Sequence, residues 1–313
     1  MNNKFSLAGK RIWITGHKGM LGSSLLNHLE KKTKNILIAT KSELDLRNYL
    51  EVDKWIKKKK PEIIFHTAAK VGGILENAEK PATFISENLQ IQTNVITLAF
   101  KNGIKRLIFL GSACIYPISK KPIKEVDLLS GKLEPTNRSY SVAKISGIEM
   151  CRAFSEQFGV NFISVQPNNL YGPNDNFVDD SAHVISSLIR KIYFAKKKKL
   201  QQCKIWGTGK PKREFLFVDD LAKALIIIAE RYNDIEPINV GSGEEINIHK
   251  LSKLIKEIIQ FKGKLIFDDS FPDGVMRKFL DSTKIKALGW YPRVSLKKGL
   301  KKTYLWFLKN NKN

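Results

Sequence analysis

The sequence predicts an α/β protein with a doubly wound parallel sheet and a smaller mixed α/β domain. Three observations predict this fold class. Apolar runs of strand length alternate with amphipathic helical stretches, as in a parallel sheet covered by helices. The first run, Arg11–Thr15, passes directly into a turn with three glycines and then into a helix. Several later runs end in small or polar residues, and ligands bind at the carboxyl ends of the strands in such sheets.

Length and composition set the broad class of protein. A chain of 313 residues with 42% hydrophobic and 27% charged residues can form one large or two unequal domains. The three cysteines, Cys114, Cys151 and Cys203, have no Cys-x-x-Cys spacing, which favours a reducing compartment and argues against a metal site. We see no secretory signal and no apolar run of about 18 residues, so we predict a cytoplasmic protein with no membrane partner.

The formal net charge of +24 raises the question of a nucleic-acid partner. Most of the excess is lysine spread along helices, with runs at 57–60 and 196–199, and there is no zinc-finger spacing or RNA-binding aromatic motif. We therefore predict no nucleic-acid partner. A basic cleft is still expected to attract phosphate-bearing cofactors and substrates.

Hydrophobic periodicity predicts the elements in chain order. The predicted strands are Arg11–Thr15, Ile36–Ala39, Glu62–His66, Arg106–Leu110 and Asn161–Val165, and Ile238–Gly243 is predicted as a strand and turn. The predicted helices are one through Leu21–Leu29, then Phe84–Lys101, Tyr140–Phe158, Ser181–Lys199, one starting at Phe217, Ile248–Phe261 and Leu296–Lys309. Leu44–Leu46 is predicted as a short buried segment, and Asn168–Asn176 as a loop rich in turn formers.

The glycine-rich turn is the first candidate cofactor site. Gly16, Gly19 and Gly22 have the spacing Gly-x-x-Gly-x-x-Gly, and Met20 and Leu21 open the helix that follows. In Rossmann-type sheets such glycines let the backbone approach a pyrophosphate, whose charge the helix N-terminus favours. A glycine triplet between a strand and an amphipathic helix is a much stronger signal than the triplet alone. We therefore predict a dinucleotide site here.

Residues after the second predicted strand bear on which dinucleotide binds. An NAD site places an acidic residue at or near the end of that strand. This chain has Thr40 and Lys41 there, with Glu43 a little further on. Lys41 and Lys18 together can hold a 2′-phosphate, which favours NADPH, whereas Glu43 keeps NAD open. Asp45 can accept a hydrogen bond from the adenine amino group, or can cap a helix.

Two further strand ends complete the predicted cleft. Thr67, Ala68 and Ala69 follow the third predicted strand, and their small side chains let a cofactor lie close to the backbone. Ser112 follows the fourth predicted strand. Because all of these residues lie at carboxyl ends of parallel strands, we expect them to converge with the glycine-rich turn.

Tyr140 and Lys144 form the candidate reductive centre. Their i, i+4 spacing places them one turn apart on one helix face. An ammonium group there favours the ionised phenol, so the pattern predicts a lowered pKa for Tyr140 and a usable acid near neutral pH. Ser112 can hydrogen-bond the same substrate oxygen. A Tyr-x-x-x-Lys pair alone is more often a surface pair, and it is the glycine-rich turn that favours a reductase.

These motifs together resemble the extended short-chain dehydrogenase/reductase family, and within it the GDP-L-fucose synthases. The resemblance runs from Arg11 to about Phe307. The segments that carry it are Gly16–Gly22, Cys114–Pro117, Leu133–Asn137, Asn169–Pro173, Asp175–Phe177, His183–Ile185, Arg213–Phe215 and Asp273–Gly274. It implies NADPH as cofactor and a GDP-linked 4-keto-6-deoxy-hexose as substrate, with reduction at carbon 4 and epimerisation at carbons 3 and 5.

The resemblance also implies roles for individual residues. Ser112 matches the hydroxyl that orients the carbonyl, Tyr140 the proton donor, and Lys144 the residue that lowers its pKa and holds the nicotinamide ribose. Cys114 and His183 match the base and the acid of the epimerisation. The residues implied to hold the substrate are Asn169, Lys191, Trp206, Arg213 and Arg277, with Lys278 as a further candidate.

Several positions near the expected sugar site depart from the family pattern. Ala113 stands where Ser or Thr is common, Asn168 where Thr is common, and Lys191 where Arg is commoner, and the loop Val178–Ala182 is more acidic. Three functions therefore stay open: the epimerase/reductase, a C4 reductase of a GDP-4-keto-heptose without epimerase activity, and an NAD-retaining sugar-nucleotide epimerase or dehydratase. A cofactor-binding regulator or nucleic-acid-binding protein without catalysis is disfavoured by the intact catalytic motifs.

After Pro167 the alternation of strand and helix patterns gives way to a loop rich in turn formers, and this change predicts the domain organisation. We expect an NADP-binding domain of residues 1–167 plus about 213–243, and a substrate domain of about 168–212 and 244–313. The resemblance implies a homodimer paired through helices Phe84–Lys101 and Tyr140–Phe158. Those helices are then expected to carry a second apolar stripe.

Overall fold

The computed structural model describes residues 5–178, 181–271 and 273–311, so Asp179 and Asp180 of the acidic loop lie outside the described residues. Its strands are β1 Ile12–Thr15, β2 Ile36–Leu37, β3 Ile63–His66, β4 Arg106–Leu110, β5 Asn161–Pro167, β6 Asn169–Tyr171, β7 Gln202–Trp206, β8 Lys212–Phe217, β9 Ile238–Val240, β10 Glu245–Asn247, β11 Lys264–Asp268 and β12 Arg277–Lys278. Its helices are α1 Met20–Leu29, α2 Tyr49–Lys59, α3 Ile74–Glu79, α4 Pro81–Lys101, α5 Arg138–Phe158, α6 Val184–Lys197, α7 Val218–Arg231, α8 Ile248–Ile259, α9 Thr283–Ala287 and α10 Leu296–Asn310.

Six strands form one parallel sheet in the order β2-β1-β3-β4-β5-β9. From β1 the chain first adds β2 on one side and then β3 on the other. The strand order therefore reverses between β1 and β3, and ligands bind at such a switch point. The predicted doubly wound sheet is confirmed.

Helices cover both faces of this sheet because its strands are apolar on both sides. Ile12 and Ile14 of β1 pack into one core cluster with α1 and α7, whereas Trp13 packs into another with α2, α4 and α5. Successive strand residues point to opposite faces, so a continuous apolar run such as β1 requires a core on each side.

The remaining strands form a second, smaller set. Strands β10, β8 and β12 pair in that order, with β6 also pairing to β8, and β7 pairs with β11. A third core cluster joins this set to α6, α8 and α10. Strand β8 belongs to this set, whereas α7 and β9 belong with the large sheet. The exact domain boundaries stay a prediction.

Most predicted elements are present with shifted ends. The predicted strand Ile36–Ala39 is shorter, and the predicted helix Ser181–Lys199 begins only at Val184. Sequence reasoning missed α2, whose Asn48 cap accepts from the Glu51 N–H and whose buried stripe is only Val52 and Ile56. It also missed the strands of the smaller set. Leu44–Leu46, predicted as a short buried segment, lies outside the helices and strands, and only Leu44 of the three is buried. Among the described helices, none is both long and apolar enough to cross a membrane.

Candidate active site

A cleft lies at the carboxyl ends of β1, β3 and β4, between the large sheet and the smaller set of strands. Its main cavity has a volume of about 710 Å³. A second cavity of about 340 Å³ adjoins it and shares Gly16, Gly19, Ala68 and Ala69 with it. Across the cleft, the Gly73 N–H donates to the Ser181 carbonyl oxygen at 3.1 Å, which joins its two walls.

The glycine-rich turn lies on the wall common to the two cavities. Gly16 has a φ of +71°, and a Cβ there would lie 2.9 Å from Ala68 Cα. A Cβ on Gly22 would lie 2.1 Å from the Gly16 carbonyl oxygen, so only glycine allows this close approach of helix and turn. Gly19 caps α1 without a side-chain hydrogen bond, which leaves the first helical N–H groups for an anion. This cradle fits the pyrophosphate of a dinucleotide.

The other cofactor candidates follow from the neighbouring strand ends. Met20 and Leu21 line the main cavity with Thr67, whose hydroxyl donates to the Thr15 carbonyl oxygen at 2.6 Å. The Ala68 N–H donates to the Thr15 hydroxyl at 3.2 Å. These bonds hold the small-residue turn after β3 against β1 and keep the cleft open between them.

The smaller cavity gathers the residues expected to distinguish NADP from NAD. Lys18, Lys41 and Asp45 line it. Arg47, which sequence reasoning missed, also lines it and donates to Asp45 Oδ2 at 2.6 Å. This hydrogen bond is the main reason that the pKa of Asp45 is lowered to about 2. Asp45 therefore lines this cavity as a carboxylate already paired with a guanidinium group.

Glu43, the acidic residue that left NAD possible as the cofactor, is hydrogen-bonded to Thr40. Its Oε2 accepts from the Thr40 N–H at 2.7 Å and from the Thr40 hydroxyl at 2.8 Å. These bonds lower the pKa of Glu43, and its side chain caps the turn after β2. Among the described residues, Lys18 and Lys41 line the smaller cavity, whereas Glu43 does not.

Ser112 and Tyr140 line the main cavity, and Lys144 lies just behind its wall. The Ser112 N–H donates to buried Gln166 Oε1 at 3.0 Å, and the Ser112 hydroxyl accepts from the Cys114 N–H at 3.4 Å. Lys144 Nζ donates to the Leu110 carbonyl oxygen at 2.8 Å and lies 5.8 Å from the centroid of the Tyr140 ring. The strand β4 and helix α5 thus supply a hydroxyl, a phenol and an ammonium group at one place.

The ionisation of this centre differs from the sequence expectation. Burial, followed by the nearby Cys114, raises the pKa of the Tyr140 phenol instead of lowering it. Burial also lowers the pKa of Lys144 to about 8. The expected lowering of the Tyr140 pKa is therefore wrong for the chain alone, because desolvation outweighs the ammonium group. The phenol stays protonated, which is the form that can donate a proton.

Cys114 lies on the same cavity, in the short 3-10 turn that follows Ser112. Its side chain is buried, and its charge would act on both Tyr140 and Lys144. The Ser141 hydroxyl donates to the Cys114 carbonyl oxygen at 3.0 Å, which ties the turn to the start of α5. The thiol is thereby held beside the reductive centre.

His183 reaches the cavity from the opposite wall as the residue before α6. Its Nδ1 lies 3.8 Å from Oδ1 of Asp175, whose side chain is 4% exposed. The neighbouring Asp175 carboxylate raises the pKa of His183. Asp175 belongs to a segment that carried the resemblance, but no sequence pattern indicated that it would meet His183.

The far end of the cavity is aromatic and basic. The rings of Trp206 and Phe271 stack with centroids 4.5 Å apart and planes 9° apart. Lys191 Nζ lies 3.6 Å from the centroid of the Trp206 ring. All three residues line the cavity, so this end presents a π-face and a cation together.

Arg213 and Lys278 add two further cations to the cavity. Both line the cavity, and burial lowers the pKa of each. The carboxylates of Glu134 and Asp273 oppose this effect at Arg213. Two half-buried cations lying near each other favour a dianionic ligand, which would relieve their mutual repulsion.

Among the described residues that are predicted to hold the substrate, Arg277 alone does not line the cavity. Its guanidinium donates to Glu245 Oε1 at 2.7 Å and to Glu245 Oε2 at 2.6 Å, and it does not line the cavity. Neighbouring residues of a strand point to opposite faces, so Lys278 lines the cavity in its place.

Asn169 lines the cavity and is held from behind. Its side-chain amide donates to the Glu214 carbonyl oxygen at 3.0 Å and to Asn168 Oδ1 at 3.0 Å. The buried Glu214 carboxylate accepts from Asn168 and, at 2.7 Å, from the Gly243 N–H. The sequence did not indicate this network, which joins β8 to the residues that follow β5 and β9.

Comparisons with known proteins agree with this arrangement. A family model described as the NAD dependent epimerase/dehydratase family matches residues 12–248. A probable GDP-L-fucose synthase 1 from Oryza sativa is 48% identical over 305 residues, which cover 96% of this chain and 93% of that protein. A GDP-L-fucose synthase from Escherichia coli is 41% identical over 315 residues, covering 97% of this chain and 98% of that protein.

A solved structure matches over nearly the same length. It is a GDP-mannoheptose C4 reductase from Campylobacter jejuni with NADP bound, 37% identical, with a TM-score of 0.87 and coverage of 96% of this chain and 98% of that one. The switch-point cleft, the glycine cradle and these full-length matches lead to one conclusion. The chain belongs to the NAD dependent epimerase/dehydratase family, among relatives named GDP-L-fucose synthases.

Proposed function

We propose that the protein catalyses the epimerisation at carbons 3 and 5 and the NADPH-dependent reduction at carbon 4 of a GDP-4-keto-6-deoxy-hexose, as a GDP-L-fucose synthase does. One observation carries the proposal. Cys114 and His183 line the same cavity as Ser112 and Tyr140, so a base, an acid and a reductive centre face one substrate. The full-length relatives named GDP-L-fucose synthases support the same reaction.

The epimerisation needs proton transfer on either side of the ketone. A ketone at carbon 4 acidifies the hydrogens on carbons 3 and 5, so a thiolate at Cys114 can remove one of them. His183, whose pKa is raised by Asp175, supplies a proton to the opposite face. The two groups come from opposite walls of the cavity, as an inversion of configuration requires.

The reduction uses the residues beside Cys114. When bound, NADPH supplies a hydride to carbon 4. Tyr140 donates the proton that the developing alkoxide needs, since burial keeps its phenol protonated. Lys144 then stabilises the phenolate that remains, and the Ser112 hydroxyl orients the carbonyl oxygen.

NADP(H) is the cofactor that the residues of the smaller cavity fit. Lys18 and Lys41 line it, and Glu43 is held by Thr40 instead of facing a ribose hydroxyl. The Campylobacter jejuni structure was solved with NADP bound. Arg47, which also lines the smaller cavity, is a further candidate for the 2′-phosphate.

The GDP part of the substrate is assigned to the aromatic and basic end of the cavity. Arg213 and Lys278 are placed to neutralise the diphosphate. Trp206, stacked on Phe271, offers a ring for the guanine base. Asn169 and Lys191 also line the cavity and are proposed to contact the sugar and the nucleotide.

A second candidate is the C4 reduction of a GDP-4-keto-heptose without epimerisation. The 37% identical Campylobacter jejuni relative is named a GDP-mannoheptose C4 reductase. Ala113, Asn168 and Lys191, which depart from the family pattern, all line the cavity. The reductive centre would be the same for both substrates, so the difference lies in whether Cys114 and His183 exchange protons.

The test is to incubate the protein with NADPH and each GDP-4-keto sugar in deuterium oxide. We expect loss of the reduced-nicotinamide absorbance with the hexose, and deuterium at carbons 3 and 5 of the product. Reduction without deuterium would select the heptose-type reductase. No loss of absorbance with any sugar would contradict the proposal, and turnover without added NADPH would indicate an NAD-retaining epimerase or dehydratase.

Two variants separate the half-reactions. Cys114→Ser is expected to lose deuterium incorporation but to keep reduction of the ketone that already has the epimerised configuration. Tyr140→Phe is expected to keep deuterium incorporation and to lose reduction by roughly 100-fold or more. If each of the two variants lost both deuterium incorporation and reduction, this division of roles would be contradicted.

We further propose the predicted two-domain division, a cytoplasmic location and a homodimer. The three cysteines are free, which suits a reducing compartment. Helices α4 and α5 pack side by side, and Phe158 at the end of α5 is 44% exposed and stacked on Phe100. Light scattering on the purified chain tests the dimer, and a monomeric mass at micromolar concentration would contradict it.

A further inference from the structure

Asp175 is a buried carboxylate in the loop before α6, held in one position. The Asn176 N–H donates to its Oδ1 at 2.8 Å, and the hydroxyl of buried Ser186 donates to its Oδ2. Ser186 lies on α6 one turn after His183. The N-cap residue of α6 therefore carries the imidazole, and the first turn of the same helix carries the group that fixes the carboxylate.

This arrangement dictates which imidazole nitrogen faces the substrate. Asp175 Oδ1 lies 3.8 Å from His183 Nδ1. A carboxylate on that side favours a hydrogen on Nδ1 and leaves Nε2 toward the cavity that His183 lines. No side chain caps α6, so the imidazole is not held by the backbone of its own helix.

We propose that Asp175 is a positioning residue that aims Nε2 of His183 at the substrate and maintains the charged imidazolium needed for proton donation. The proposal rests on the proposed epimerase function. The other titratable side chains on the cavity include Cys114, Tyr140, Lys191, Arg213 and Lys278. Among the described groups, Asp175 is the charge that acts on the pKa of His183, and it raises that pKa.

The first experiment measures deuterium incorporation by wild type and Asp175→Asn across a range of pH. The asparagine amide keeps the shape of the aspartate side chain and one hydrogen-bond acceptor, but it lacks the negative charge. We expect the alkaline limb of the exchange profile to move down by about one pH unit, and the exchange rate at neutral pH to fall roughly ten-fold. Reduction of the already epimerised ketone is expected to change less than about two-fold, because a charge pair of this kind acts on the acid alone.

Ser186→Ala is the matched control. It removes a hydrogen bond to the same carboxylate but leaves the charge, so its alkaline limb is expected to stay at the wild-type pH. Equal profiles in wild type and Asp175→Asn would overturn the proposal. Parallel losses of exchange and reduction would also overturn it, since they would indicate a structural role.

The second experiment needs no turnover. The ¹³Cε1 resonance of His183 in the full chain, identified by its loss in His183→Gln, is followed against pH by NMR. We expect its pKa in wild type to lie above the ordinary value of about 6.5 and to fall by about one unit in Asp175→Asn. A wild-type value at or below 6.5 would overturn the proposal even if the variant did not fold. A protein that neither consumes NADPH nor exchanges deuterium would refute the proposed function, and the titration would still decide the pairing.

Discussion

Replacing Lys144 by methionine is expected to change how folding stability depends on pH. Lys144 is 3% exposed, and burial lowers the pKa of its ammonium group from 10.5 to about 8. Since the folded-state pKa lies below the unfolded-state pKa, the unfolded chain binds more protons between these two pH values. The free energy of unfolding contributed by this group therefore rises with pH across that window and is lost as the pH falls.

The size of the effect follows from the two pKa values. Between pH 7 and pH 9, Lys144 alone adds on the order of 1 kcal/mol to the free energy of unfolding. Methionine fills a similar volume without a titratable group, so the variant lacks this increment. Wild type is therefore expected to gain on the order of 1 kcal/mol more than Lys144→Met over this interval.

The assay is urea unfolding of the cofactor-free chain at pH 7 and pH 9. Lys54→Met on α2 is the control, because that lysine is exposed and its replacement is expected to leave the pH dependence at the wild-type value. A difference between Lys144→Met and wild type that changed by less than about 0.4 kcal/mol over the interval would refute the reasoning. It would mean that the ammonium group is hydrated in the folded protein.

Three further substitutions test other parts of the cleft. Gly22→Ala places a Cβ 2.1 Å from the Gly16 carbonyl oxygen, so NADPH affinity measured by fluorescence titration is expected to fall roughly 100-fold. Normal NADPH binding by Gly22→Ala would contradict the assignment of the glycine-rich turn to the pyrophosphate. Lys41→Glu reverses a charge in the smaller cavity, and the kcat/KM ratio of NADPH to NADH is expected to fall at least about ten-fold. An unchanged ratio would exclude Lys41 from the 2′-phosphate site. Trp206→Ala removes the ring stacked on Phe271, so KM for the GDP-sugar is expected to rise about ten-fold with little change in kcat. A fall in kcat at constant KM would instead indicate a role in the transition state.

Local patterns in the sequence were sufficient for the large sheet and for one wall of the site. Strand β1, the glycine-rich turn and α1 follow one another within 18 residues, so their geometry depends on short-range rules. Tyr140 and Lys144 share a helix face because of their spacing alone. The short strands of the smaller set escaped prediction because two or three residues carry no readable period.

The sequence by itself determined the parallel sheet, the dinucleotide turn and the presence of a reductive centre beside Cys114. Only the tertiary structure decided the ionisation of that centre, because burial outweighs the neighbouring ammonium at Tyr140. It likewise decided that Lys278 and not Arg277 lines the cavity, since the face of a two-residue strand depends on its partner β8. The pairing of His183 with Asp175 depends on a loop folding back onto α6, and such non-local contacts leave no periodic trace in the chain.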